Sequence, residues 1–144
     1  MKNYQKYTLQ FICFLLIVLW VYAAASKLID FNLFKAQMKR QILFPFIKSS
    51  IVYWLPPVEL LTAGLFVFQP SQRAGLYLSA IMLCVFTAYV GFALSGILGR
   101  IPCSCGGIIN KMGWGTHLFF NIFFLLLTVL GIYIVNRERR TANR

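Results

Sequence analysis

Apolar residues come in four long runs along this chain: Leu9 to Ala25, Ile51 to Phe68, Ala74 to Leu98 and His117 to Val135. A helix that crosses a bilayer needs about 20 mostly apolar residues, and the first, third and fourth runs reach that length. The second run is interrupted by Pro56 and Pro57. The first turn of a helix does not use its N–H groups, so the pair predicts a helix that starts near Pro56. The whole pattern predicts an all-α integral membrane protein, a four-helix bundle. It would form a single transmembrane domain over residues 1–144, with spans near 8–26, 51–68, 74–98 and 117–136.

The polar positions between the runs refine this picture. From Asp30 to Ser49, Phe34, Met38 and Ile42 recur every four residues while Lys35, Lys39 and Arg40 take other faces. This predicts a short amphipathic helix at the membrane surface between spans one and two, capped by Asp30 or Asn32 and ended by Pro45. Lys2 and Lys6 precede the first run, which closes on Ala23-Ala24-Ala25. That is also the pattern of a secretory signal peptide with a small-residue cleavage site. The fourth run stops at Asn136, followed by Arg137, Glu138, Arg139 and Arg140, a solvated charged tail.

Composition agrees. The chain is 60% hydrophobic and 12% charged, whereas soluble domains are about half apolar and about a quarter charged. Too few polar residues remain to cover a water-exposed surface. The net charge is +11 from 14 Lys and Arg against 3 acids. These charges flank the apolar runs as membrane anchors do, and no separate basic face points to nucleic acid. Four spans put both termini on one side and the first and third connections on the other. The positive charges divide seven against seven: Lys2, Lys6, Arg73, Arg137, Arg139, Arg140 and Arg144 against Lys27, Lys35, Lys39, Arg40, Lys48, Arg100 and Lys111. Charge therefore does not choose the orientation.

Chemistry concentrates in the third connection. Of four cysteines, Cys13 and Cys84 lie inside runs one and three and read as small buried hydrophobes. Cys103 and Cys105 stand in Arg100-Ile101-Pro102-Cys103-Ser104-Cys105-Gly106-Gly107. Residues two apart on a helix point to nearly opposite sides. In a turn, favoured here by Pro102 and the glycines, their sulfurs can reach bonding distance. A disulfide across one residue closes a small strained ring, and strained disulfides are the exchanging ones. Arg100 would raise the thiolate fraction. Three readings stay open: thiol–disulfide exchange, a partial metal site completed by His117 and Cys84, and a structural clip. A closed zinc site wants four ligands.

Parity brings further polar residues to the cysteine side. Lys27 ends run one, Glu59 lies in run two, and His117 and Asn121 are one turn apart at the start of run four. Ionisable groups in apolar spans usually face the bundle interior or a cavity. Glu59, the only carboxylate in an apolar run, can accept a proton as a thiol becomes a thiolate, or can form a structural ion pair with Lys27. His117 reads as a proton shuttle or a hydrogen-bonding cap, and Asn121 as an interhelical hydrogen-bonding group. Tyr53, Trp54 and Trp114 fit an interfacial aromatic belt, with Trp114 also placed to pack beside the cysteine loop.

Ser26-Lys27 after the first span, Leu55-Pro56-Pro57-Val58-Glu59-Leu60-Leu61 in the second and Pro102-Cys103-Ser104-Cys105-Gly106-Gly107 before the fourth carry a resemblance. Together with Trp114, His117 and Asn121, they resemble the MauE branch of the DoxX-like membrane proteins, from about Leu9 to Ile134. The resemblance implies a retained first span and a four-helix membrane bundle tied to redox or disulfide chemistry outside the cytoplasm. Many members carry a Phe after the glycine that follows the second cysteine, or an acidic lead-in. Here the loop reads Cys-Gly-Gly behind Ile101-Pro102, which leaves the substrate open. The expectation is a bacterial inner-membrane protein with cytoplasmic termini, whose Cys103 and Cys105 exchange disulfides with a periplasmic thioredoxin-like or disulfide-containing protein. Disulfides persist on that oxidising side. A quinone is a candidate electron partner. The alternative is a non-enzymatic accessory protein for assembly or export of a partner.

Overall fold

The computed structural model describes residues 3–39, 45–95 and 114–142. These form α1 (Asn3–Ile29), α2 (Phe31–Lys39), α3 (Pro45–Val67), α4 (Gln72–Leu94) and α5 (Trp114–Ala142), with a 3-10 turn over Gln69–Ser71 between α3 and α4. Four stretches, Tyr4–Ile29, Pro45–Val67, Gln69–Leu94 and Gly115–Thr141, are long and apolar enough to cross a membrane. At 1.5 Å per residue, even the shortest spans about 35 Å. The all-α membrane bundle expected from the sequence is therefore the observed architecture.

Each long helix buries one stripe. On α1 it runs Leu9, Ile12, Leu16, Trp20, Ala24, Lys27, and on α3 it runs Val52, Pro56, Glu59, Thr62, Phe66. On α4 it runs Leu76, Ser79, Leu83, half-buried Phe86, Val90, Ala93, and on α5 Asn121, Phe124, Thr128, Gly131, Ile134. Steps of three and four keep one face of a 3.6-residue helix turned inward. Other faces expose Phe11, Phe14, Val85, Phe119 and Leu126. So much apolar surface is untenable in water and matches a lipid-facing exterior.

The helices pack as a ring. α1 touches α3 and α5, and α4 touches the same two. Trp20 bridges the diagonal: its indole Nε1 donates to Ser79 Oγ at 2.9 Å, and its ring lies 6.4 Å from that of Phe86. Indole and hydroxyl thereby satisfy each other where water is excluded. Gly131 lets α5 approach α4, since a Cβ there would meet Leu76 Cδ2 at 2.9 Å.

Three expectations need correction. α3 begins at Pro45 and carries Pro56 and Pro57 in its interior, so the pair does not start the helix. Prolines withhold amide donors from the carbonyls one turn back, and a membrane bundle tolerates this because packing supports the helix. Pro45 opens α3 and does not end the amphipathic segment, which closes at Lys39. It occupies the first position, where proline costs a helix least. Asn32 lies inside α2, and the bond at its start is the main-chain Phe34 N–H to Asp30 carbonyl at 2.9 Å. α2 turns Phe34 and Met38 onto Val52 of α3, so its apolar face is covered by protein; Ile42 lies outside the described residues.

Candidate functional site

Lys27 points inward because it continues the buried stripe of α1, one turn beyond Ala24. Glu59 does so because it continues the stripe of α3 between Pro56 and Thr62. The two meet as an ion pair of 2.8 Å, with Lys27 6% exposed and Glu59 1%. Lys27 Nζ also donates to the Ala23 carbonyl at 2.9 Å and stands 6.0 Å from the centre of the Phe34 ring. Removing two charges from water is costly, and a close, hydrogen-bonded pair recovers much of that cost.

α5 adds the other half. Asn121 is buried on its inward stripe, and His117 sits one turn earlier, half-buried and within electrostatic range of Lys27. Three buried atoms in this group, Glu59 Oε2, His117 Nδ1 and Asn121 Nδ2, have no hydrogen-bond partner among the described residues. Buried polar atoms are nearly always paired. A carboxylate acceptor, an imidazole nitrogen and an amide donor thus lie in the bundle with capacity for further bonds. Such a group can take up, hold or pass a proton at Glu59 Oε2 or His117 Nδ1.

The cluster lies at the end of the bundle where α1 closes and α5 opens. The structure joins Glu59 to Lys27 directly and puts His117 within electrostatic range of Lys27, with buried Asn121 one turn further along α5. Cys103, Cys105 and Arg100 lie outside the described residues, and Trp114 is the first residue of α5. Cys13 is buried as expected, but Cys84 is exposed on the outer face of α4. It lies off the stripe of Ser79, Met82, Leu83 and Val90. Among the described residues no group of three His, Cys, Asp or Glu side chains gathers to hold a metal.

Sequence reasoning did not single out Phe34 as a neighbour of Lys27, nor the Trp20–Ser79 pair. Phe34 was visible only as part of the apolar face of α2. Tyr53 and Trp54 are exposed near the start of α3, with Tyr53 against Phe31 at 6.0 Å between ring centres. A cleft between α2 and α3 is rimmed by Lys35, Lys39 and Lys48.

Among curated proteins and among solved structures, no relative matches. A family model described as methylamine utilisation protein MauE matches residues 5–134, a stretch that reaches from the first span into the fourth. The chain belongs to the MauE family of membrane proteins.

Proposed function

We propose that this protein carries out thiol–disulfide exchange at the membrane, through Cys103 and Cys105 on the periplasmic side of a bacterial inner membrane. The observation that supports this reading most is the buried Lys27–Glu59 pair with His117 and Asn121, at the end from which residues 96–113 connect α4 to α5. These three buried polar atoms have no partner among the described residues, and an unsatisfied buried polar group is costly to keep for structure alone. Proton-coupled sulfur chemistry beside the cluster uses such groups.

The balanced reaction is short. One cysteine thiolate attacks a disulfide of an exported thioredoxin-like or maturing partner, forming a mixed disulfide and releasing a partner thiolate. The second cysteine of the pair then attacks its neighbour's sulfur and releases the partner's other sulfur as a thiolate. Two electrons pass to the partner, and Cys103 and Cys105 end as a disulfide. Two protons move from the attacking thiols to the leaving thiolates. Glu59 and His117 provide sites to hold them in transit, and Lys27 holds the Glu59 carboxyl group in place. The reverse direction balances equally, and neither needs a further cofactor.

Cysteine trapping tests the reading. Cys103→Ser or Cys105→Ser leaves one thiol unable to resolve, so one of the variants is expected to accumulate a mixed disulfide with an exported protein. Reductant should collapse that adduct on a gel. If both variants are well expressed and neither forms an adduct, exchange is excluded and the accessory role takes its place.

A further inference from the structure

Lys35 and Lys39 on α2 and Lys48 on α3 converge on one small cleft of about 100 Å³. Its apolar lining is Met38 and Val52, both buried. Lys48 Nζ donates to the Lys39 carbonyl at 3.1 Å, which ties the start of α3 to the end of α2. Lys35 Nζ stands 5.8 Å from the centre of the Tyr53 ring.

The chain has almost nothing to neutralise these ammonium groups. Its three acids are Asp30, Glu59 and Glu138. Glu59 is engaged by Lys27. Glu138 lies in the last turns of α5, at the opposite end of the bundle. Asp30, at the junction of α1 and α2, forms no ion pair among the described residues. Three like charges around one cleft repel, and an anion from outside relieves that repulsion.

The surroundings indicate which anion. Phe46, Ile47, Tyr53 and Trp54 are exposed on the same part of α3. Large apolar and aromatic side chains flanked by lysine mark the level of lipid headgroups. An inorganic phosphate has no use for an apolar lining or an aromatic border, whereas a phospholipid has a phosphate for the lysines and a glycerol and acyl portion for the rest. We propose that this cleft binds the phosphate of an anionic phospholipid, held by Lys35, Lys39 and Lys48. The site shares no residue with the exchange reading and holds for either orientation of the chain.

The test uses the full chain in nanodiscs of equal phosphatidylglycerol and phosphatidylcholine, with retained lipid measured by mass spectrometry after extraction into mild detergent. The wild type is expected to retain phosphatidylglycerol preferentially. Lys35→Gln with Lys39→Gln keeps the Lys48 clamp to the main chain, and should lower that preference by about fivefold for each lysine removed. Replacing Arg137, Arg139 and Arg140 by Gln removes charge from the other end and should change nothing. Three results would overturn the proposal: equal retention by the wild type and the lysine variant, an equal loss in the arginine variant, or displacement of the lipid by inorganic phosphate at matched concentration. The first denies a site, the second reduces it to bulk charge, and the third makes it a site for free phosphate.

Discussion

Lys27 and Glu59 depend on one another. The carboxylate is 1% exposed and its Oε1 lies 2.8 Å from the ammonium. Lys27→Ala leaves that charge without its partner in a low dielectric, and is expected to cost about 3–5 kcal/mol of stability. Lys27→Met combined with Glu59→Leu removes both charges and should recover most of the loss. Unfolding in detergent micelles checks both; a single variant as stable as the double would mean the pair is not buried together. Both residues were legible in the sequence, Glu59 as a charge inside an apolar run and Lys27 as the charge that ends one. Thr62, Ser79 and Thr128 were not, although all are fully buried. Thr62 and Thr128 return their hydroxyls to carbonyls one turn back, and Ser79 needs Trp20 from another helix. No local pattern distinguishes such hydroxyls from ordinary helix residues.

The helices were easier to read than their limits or their inward faces. Run length points to three of the four spans, and the second, interrupted by its prolines, is marginal by length although its helix is long and apolar enough to cross. Proline's tolerance in a first turn points to a start near Pro56, whereas the helix starts at Pro45 and carries the pair in its interior. Facing failed at Cys84 because α4 is apolar nearly all round, and hydropathy cannot tell lipid from core when both are equally apolar. The glycines make helix facing testable. Gly131→Leu drives a side chain into Leu76 and Ile12, and should cost about 1–3 kcal/mol as an overpacked α4–α5 contact. Gly91→Ala on α4 meets nothing within 4 Å and should gain about 0.5–1 kcal/mol through its better helix propensity. Thermal unfolding of the two variants in one detergent checks the contrast; equal effects would mean α4 and α5 do not meet at Gly131.

Taken as one bundle, the molecule has a polar end and an apolar remainder. The ring of α1, α3, α4 and α5 encloses Trp20, Leu16 and Leu76 along most of its length. Where α1 closes and α5 opens it holds a charged pair with neighbouring polar atoms that have no partner among the described residues. The sequence placed these residues together through parity alone, since four spans return α1's end and α5's start to one side. It did not assign that side, because the fourteen positive charges split evenly. The exchange reading does assign it, since the cysteine connection must face the oxidising compartment. Differential labelling of intact cells with a membrane-impermeant maleimide, with and without brief reduction, is the most direct test. The expected result is labelling of Cys103 and Cys105 from outside that increases on reduction and disappears in the Cys103→Ser, Cys105→Ser double variant, with buried Cys13 and lipid-facing Cys84 silent throughout. Labelling of the pair only after the cells are broken, or full labelling from outside with no gain on reduction, would contradict it.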